Sequence, residues 1–421
     1  MTVSKKFVAQ LVLACSLVPF TLGPASANYL FVLLLVLFPI VSPSAITVRQ
    51  AAMGLVAIAA FLWGLPFNAM FAEGFDGTFA ARQLLSFGSF MAAAALVLSR
   101  SPLTSRDVVG VVTAVAVFYS SLVIGLILFV PGLDFTAGAE LKILLQGYLP
   151  GWPQRFPILL MFCLLAGLPR VTRSPWSLGA TALLTACLAL TFTRAVYLGT
   201  IAGLGFLVVS RLVTGRAGHA AAGPASTGAR VSRRARRRFR VRWALSVSGL
   251  VLLWTVSGLG WSDVTAVYAL VQDGATQSWR FVAGGLPEPD RLGSSEAQRL
   301  YHWREALGLW SESPVFGTGF AGLYLFSDLG SSHGQYIDVL LRMGLLGLLT
   351  YFWVWAAMMR WYAATDHGIA AGLFAVFAYG LFHETTKLPY VACLFFLLAA
   401  PALARRPRAG SGDVALRPAR V

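Results

Sequence analysis

The side chains in this chain best suited to chemistry are arginines and histidines. His333 lies in Ser331-Ser332-His333-Gly334-Gln335-Tyr336. An imidazole changes protonation near neutral pH and can take a proton as a general base. His302 is a rival for that role, and His383, with Glu384 and Lys387, forms a third polar cluster. Arg194 stands in Thr191-Phe192-Thr193-Arg194-Ala195, between two apolar runs with almost no loop between them, and Arg155 follows Gly151-Trp152-Pro153-Gln154. An arginine at the centre of a bilayer costs about 2.5–3.5 kcal/mol on insertion scales, so such residues usually face a cavity or a partner. Each candidate also has an ordinary structural role. Arg194 and Arg155 fit anchors at the headgroup level, Arg299 fits a solvated helix face, and Arg342 fits an ion pair with Asp338 one turn earlier.

The elements that position these residues follow from composition. Of 421 residues, 57% are hydrophobic and 12% charged, where a soluble domain carries about 25% charged residues. Uncharged runs near 29–46, 108–130 and 243–261 approach or exceed the roughly 20 residues that cross a bilayer core. The expected architecture is all-α, a polytopic membrane protein of about 12 transmembrane helices. The runs fall near 7–23, 29–46, 51–71, 83–98, 108–131, 156–168, 177–193, 196–213, 243–261, 334–359, 367–382 and 388–404. The four cysteines all lie inside apolar spans and carry no metal or disulfide signature.

Charge orients these spans. The formal net charge is +16, and ten of the 33 basic residues fall between 211 and 242, around Arg233-Arg234-Ala235-Arg236-Arg237-Arg238. This segment (214–242) reads as a loop drawn to anionic lipid headgroups rather than a nucleic-acid arm. With the N-terminus in the cytoplasm, the inner loops and the basic tail (405–421) collect 23 basic and three acidic residues, against 10 basic and 14 acidic outside. Both termini then lie inside. Lys5-Lys6, the apolar stretch after them and Ala25-Ser26-Ala27 also look like a cleavable signal peptide, which would leave the later topology unchanged.

One outer loop, 262–333, separates the spans of 1–261 from the last three in 334–404. Its length points to function. Ser295 and Gln298 stand at capping-box spacing and predict a helix start. Leu300, Trp303, Leu307 and Trp310 follow as an apolar stripe, Arg299 and His302 share another face, and Pro314 with Gly317-Thr318-Gly319 ends the helix.

Several chemistries lack their residues. There is no Asp-x-Asp to hold a divalent ion against a diphosphate and no Gly-x-x-x-x-Gly-Lys phosphate loop. No cofactor is expected.

The order of motifs resembles the O-antigen ligase and polymerase family. Thr193-Arg194 opens a span ahead of the long outer loop. That loop carries Arg299-x-x-x-Trp303-x-x-Ala306 and then Ser313-Pro314-Val315-Phe316-Gly317-x-Gly319. His333-x-x-Tyr336 and Gly344-Leu345-Leu346-Gly347 complete the pattern, and the likeness covers residues 190–360 best. Two positions depart from it: Gly334 stands where the family usually has Asn, and Arg342 where a carboxylate is common.

The resemblance implies an inner-membrane enzyme with its site facing the periplasm. Its donor would be an undecaprenyl-diphosphate-linked glycan, and its acceptor a hydroxyl of lipid A-core or of a growing polysaccharide, with membrane lipids around it and no nucleic acid. Diphosphate leaves readily, so the need is for fixed positive charge, which guanidinium groups supply bidentately. On this basis Arg194 and Arg299, with Arg155, take the diphosphate and His333 the acceptor proton, while His302, Arg342 and His383 are second-tier candidates. Ligase, polymerase and a protein-glycosylating relative differ in acceptor alone. A transporter of similar span count is the reading from another class, though no internal repeat supports it.

Overall fold

The computed structural model describes residues 5–17, 21–22, 25–26, 103–133, 139–149, 156–171, 174–191, 193–221, 295–318 and 332–383, with 385, 391, 394 and 397–399 beyond them. Within these the chain is helical apart from a two-residue antiparallel pair, β1 (Thr21–Leu22) with β2 (Ala25–Ser26). The helices are α1 (Lys5–Leu17), α2 (Ser105–Phe129), α3 (Ala139–Tyr148), α4 (Phe156–Gly167), α5 (Pro175–Ala189), α6 (Arg194–Ala221), α7 (Ser295–Glu312), α8 (Gln335–Thr365) and α9 (His367–Tyr379). Among the described residues three stretches are long and apolar enough to cross a membrane: Ser105–Phe129, Ala195–Leu212 and Gln335–Thr365. The helices α1, α4, α5 and α9 are shorter but apolar. The chain is therefore a multi-pass membrane protein. Of the twelve expected spans, those near 29–46, 51–71, 83–98 and 243–261 lie outside the described residues, as does most of the basic segment 214–242, whose first residues, to Ala221, continue α6 rather than forming a loop.

The centre of the bundle is α4. Every residue from Phe156 to Ala166 is buried, as its uniformly apolar sequence requires of a helix without a polar face. Around it pack α2, α5, α6 and α9. Glycines set the closest approaches. A Cβ at Gly199 would meet Met161 of α4 and the Ala375 carbonyl of α9, one at Gly203 would meet Leu165 and the Ala371 carbonyl, and one at Gly372 would meet Phe162. Lipid gives helices no hydrophobic drive to associate, so close backbone contact through small residues is what holds them together. The sequence Gly199, Gly203 along α6 against Ala375, Ala371 along α9 also shows that these two helices run antiparallel.

At one end of the bundle the caps and the ion pairs coincide. Thr104 and Asp107 form a capping box at the start of α2, and Lys6 Nζ lies 2.8 Å from Asp107 Oδ1. Asp366 caps α9 by accepting from the Gly368 and Ile369 N–H groups at 3.1 and 3.2 Å, and it also accepts from the Arg170 guanidinium. Each pair joins two residues that the charge asymmetry assigns to a single side. Helix α3 is an element the apolar runs did not suggest. It is held by Leu141, Leu145 and Leu149, which recur every four residues and are all buried in the core.

The loop helix α7 runs over the expected residues, and Trp310 of the expected stripe lies on its packed face. Ala306 pairs with Leu341 of α8, with Leu309, Trp310 and Ile337 packed around them. Leu307, also of that stripe, is half-buried. The expected tenth span is not one continuous rod. Gly344 has φ 64° and ψ −167° inside α8, which breaks the helix.

Candidate functional site

The break at Gly344 is stabilised by the turn that follows α7. In an unbroken helix the Leu345 and Leu346 N–H groups would donate to Leu341 and Arg342. Here they donate to the carbonyls of Pro314 at 2.9 Å and Val315 at 3.2 Å. The Leu341 carbonyl, released from its helical partner, accepts from Thr318 through both its N–H at 2.6 Å and its Oγ1 at 3.0 Å. Turn bonds thus replace helical bonds for the Leu345 and Leu346 N–H groups and the Leu341 carbonyl. The fit is close. A Cβ at Gly344 would collide with Val315, and one at Gly317, whose φ is +74°, would collide with Leu341 and Arg342. The segment Ser313–Gly317 and the Gly344 motif, far apart in sequence, are therefore two halves of one clasp that fixes α7 to α8.

Fixing α7 in this way gathers the candidate residues. The His302 and His333 rings stack at 5.4 Å between centroids with 23° between planes. One turn before His302 on α7, the Arg299 guanidinium acts electrostatically on the Tyr379 hydroxyl at the end of α9. The Tyr379 ring in turn stacks on His383 at 4.8 Å and 20°. The segments before α8 and after α9 are tied directly, because the Gln335 N–H donates to the Gly380 carbonyl at 2.8 Å. Thr385 Oγ1 adds a buried hydrogen bond to Gln335 Oε1 at 3.3 Å. Arg299, His302, His333, Tyr379 and His383 thus come from three separate stretches of chain to one end of the bundle, opposite the end holding the Arg170–Asp366 pair.

His333 itself has an unusual backbone. Its φ is +51°, the left-handed region, and no other non-glycine described residue shares it. Such a conformation costs about 1–2 kcal/mol for an L-residue, so neighbouring contacts must hold it. The side chain is exposed, while Ser332 and Gly334 on either side are buried.

The remaining candidates fall as follows. Arg194 is the first residue of α6, and its side chain is outside the described set. The antiparallel register of α6 against α9, read from Gly203 and Gly199, brings the residues beginning α6 to the level of Tyr379–His383 when carried one turn further. Thr193 anchors that start, its carbonyl accepting from Val196 and Tyr197. Arg155 lies outside the described residues. Arg342 is buried two turns into α8, where its Nε donates to both carboxylate oxygens of Asp338 at 2.8 and 2.9 Å. That is the ion pair its spacing suggests. Among the described residues no three His, Cys, Asp or Glu side chains gather closely enough to hold a metal ion.

Residues 179–352 match the O-antigen ligase family model. The resemblance read from the motifs is thereby borne out. No curated protein matches the chain significantly. The O-antigen ligase match opens in α5 and ends in the second part of α8, so it spans Arg194, Arg299, His302, His333 and the Gly344 break. Tyr379 and His383 lie beyond it. Motif reading missed Tyr379 because a tyrosine at the end of an apolar span looks like an interfacial anchor. Its spacing of four from His383 is the one available signal.

Proposed function

We propose that the chain is a metal-independent, inverting glycosyltransferase of the inner membrane. It moves a glycan from undecaprenyl diphosphate to an acceptor hydroxyl at the periplasmic face, and the acceptor is lipid A-core, which makes it an O-antigen ligase. The observation that carries this reading is the stacking of His302 on His333, with Arg299 one turn before His302 on α7, inside the stretch that matches the ligase family.

The chemistry runs as a single displacement. The acceptor oxygen attacks the anomeric carbon as the bond from that carbon to the diphosphate oxygen breaks. The bonding electrons leave with undecaprenyl diphosphate. Arg299 and Arg194, with Arg155, stabilise the charge that grows on its oxygens, as fixed donors do most effectively where charge develops. His333 takes the acceptor proton. Because the leaving group is a diphosphate, no general acid is required. The orientation that exposes this end to the periplasm is supported by the charge asymmetry of the loops.

Deletion of the gene followed by gel analysis of surface glycans tests the acceptor. Full-length chains left unattached to the lipid core support the ligase. Single repeats attached to the core reassign the chain as a polymerase, and unchanged glycans contradict both.

A further inference from the structure

The torsion φ of His333 is set by the orientation of the peptide joining it to Ser332. That peptide is gripped from α7. The indole N–H of Trp303 donates to the Ser332 carbonyl at 2.9 Å. On the other side of His333, Gly334 lies against the same indole: a Cβ there would stand 3.0 Å from Trp303 Nε1 and 3.3 Å from Cε2 and Cζ2. Gly334 has φ −143° and ψ 121°, extended backbone open to any residue, so the indole and not the local conformation crowds a side chain there, and the indole would have to give by a few tenths of an ångström to admit one. Ser332 Oγ closes the turn with a bond to the Gly334 carbonyl at 3.1 Å. Released from these contacts, a histidine at positive φ would relax to an ordinary conformation and carry its imidazole with it.

We propose that Trp303 is a positioning residue that holds His333 in its left-handed conformation, with Gly334 as the surface on which the indole rests. The inference builds on His333 as the base and adds the group that aims it. Trp303 shares α7 with Arg299. One helix therefore sets both the charge that meets the leaving group and the direction of the imidazole that meets the acceptor. It also gives Gly334, where the related family usually carries Asn, a positive role in this chain.

The test uses full-length protein in vesicles supplied with undecaprenyl-diphosphate glycan and acceptor. Trp303→Phe keeps an aromatic ring but removes the donor. It is expected to lower kcat by roughly ten- to hundredfold while the donor KM, the donor-binding capacity and the thermal midpoint in detergent stay as in wild type. Gly334→Ala is expected to lower kcat similarly alone, and to add no further loss in the Trp303→Phe background, where the smaller ring makes room. Wild-type kcat in either single variant overturns the proposal. So does a loss of kcat matched by an equal loss of donor binding, since that marks a structural role only. His333→Ala is measured alongside. If it transfers at the wild-type rate, the assignment of the base fails, a result distinct from failure of the positioning role.

Discussion

The imidazoles of His302 and His333 lie face to face, 5.4 Å apart at 23°, although one belongs to the loop helix and the other to the residue pair that opens α8. Stacked rings in this arrangement contribute about 0.5–1.5 kcal/mol. If His302 serves as the stacking partner and His333 as the base, His302→Ala slows transfer by roughly two- to tenfold. Steady-state kinetics on the variant in vesicles checks this. A loss of about a hundredfold or more, the size associated with removing a general base, would exchange the two roles.

Arg299, one turn before His302 on α7, lies close enough to Tyr379 of α9 to act on it electrostatically, and the proposed function gives its guanidinium the diphosphate. A lysine keeps the charge but not the fork of donors. Arg299→Lys should lower kcat/KM by roughly tenfold or more. Unchanged kinetics would remove Arg299 from diphosphate binding.

The Gly344 break exists because a turn from the loop enters the helix and takes over its hydrogen bonds. Alanine at 344 would bear the cost of positive φ, about 1–3 kcal/mol, and would also meet Val315. Gly344→Ala is expected to lower the thermal midpoint in detergent and to release α7 to proteases, since its clasp is gone. A variant that melts like wild type and resists proteolysis would mean the clasp adds little.

Much of this was legible in the sequence, for reasons that differ by element. Helix α7 was readable because its apolar residues recur at helical spacing and proline with glycine stops it. Trp310 of its apolar stripe packs toward α8, together with Ala306 and Leu309, which the stripe does not include. The break in α8 was not legible as a break. Gly344-Leu345-Leu346-Gly347 reads as an ordinary apolar run, and only the distant Ser313–Gly317 turn reveals why the first glycine is needed. The pairing of His302 with His333 was equally hidden, since spacing within one segment says nothing of contact between two. The Asp338–Arg342 pair, by contrast, was fixed by its spacing alone.

That pair is buried within α8. Removing one member of a buried ion pair leaves a charge without compensation and costs about 3–5 kcal/mol. Asp338→Ala should therefore lower stability sharply. Chemical or thermal unfolding in detergent measures it, and a shift under about 1 kcal/mol would show that Arg342 is satisfied by other means.

The proposed function has arginine and histidine doing the work a divalent ion does elsewhere. Its most direct test is transfer from undecaprenyl-diphosphate glycan by purified full-length protein in vesicles under excess EDTA, with wild type beside His333→Ala. The expected result is undiminished transfer by the wild type after chelation and a rate at least about a hundredfold lower for the variant. Transfer that stops on chelation, or that proceeds equally in both proteins, would contradict it.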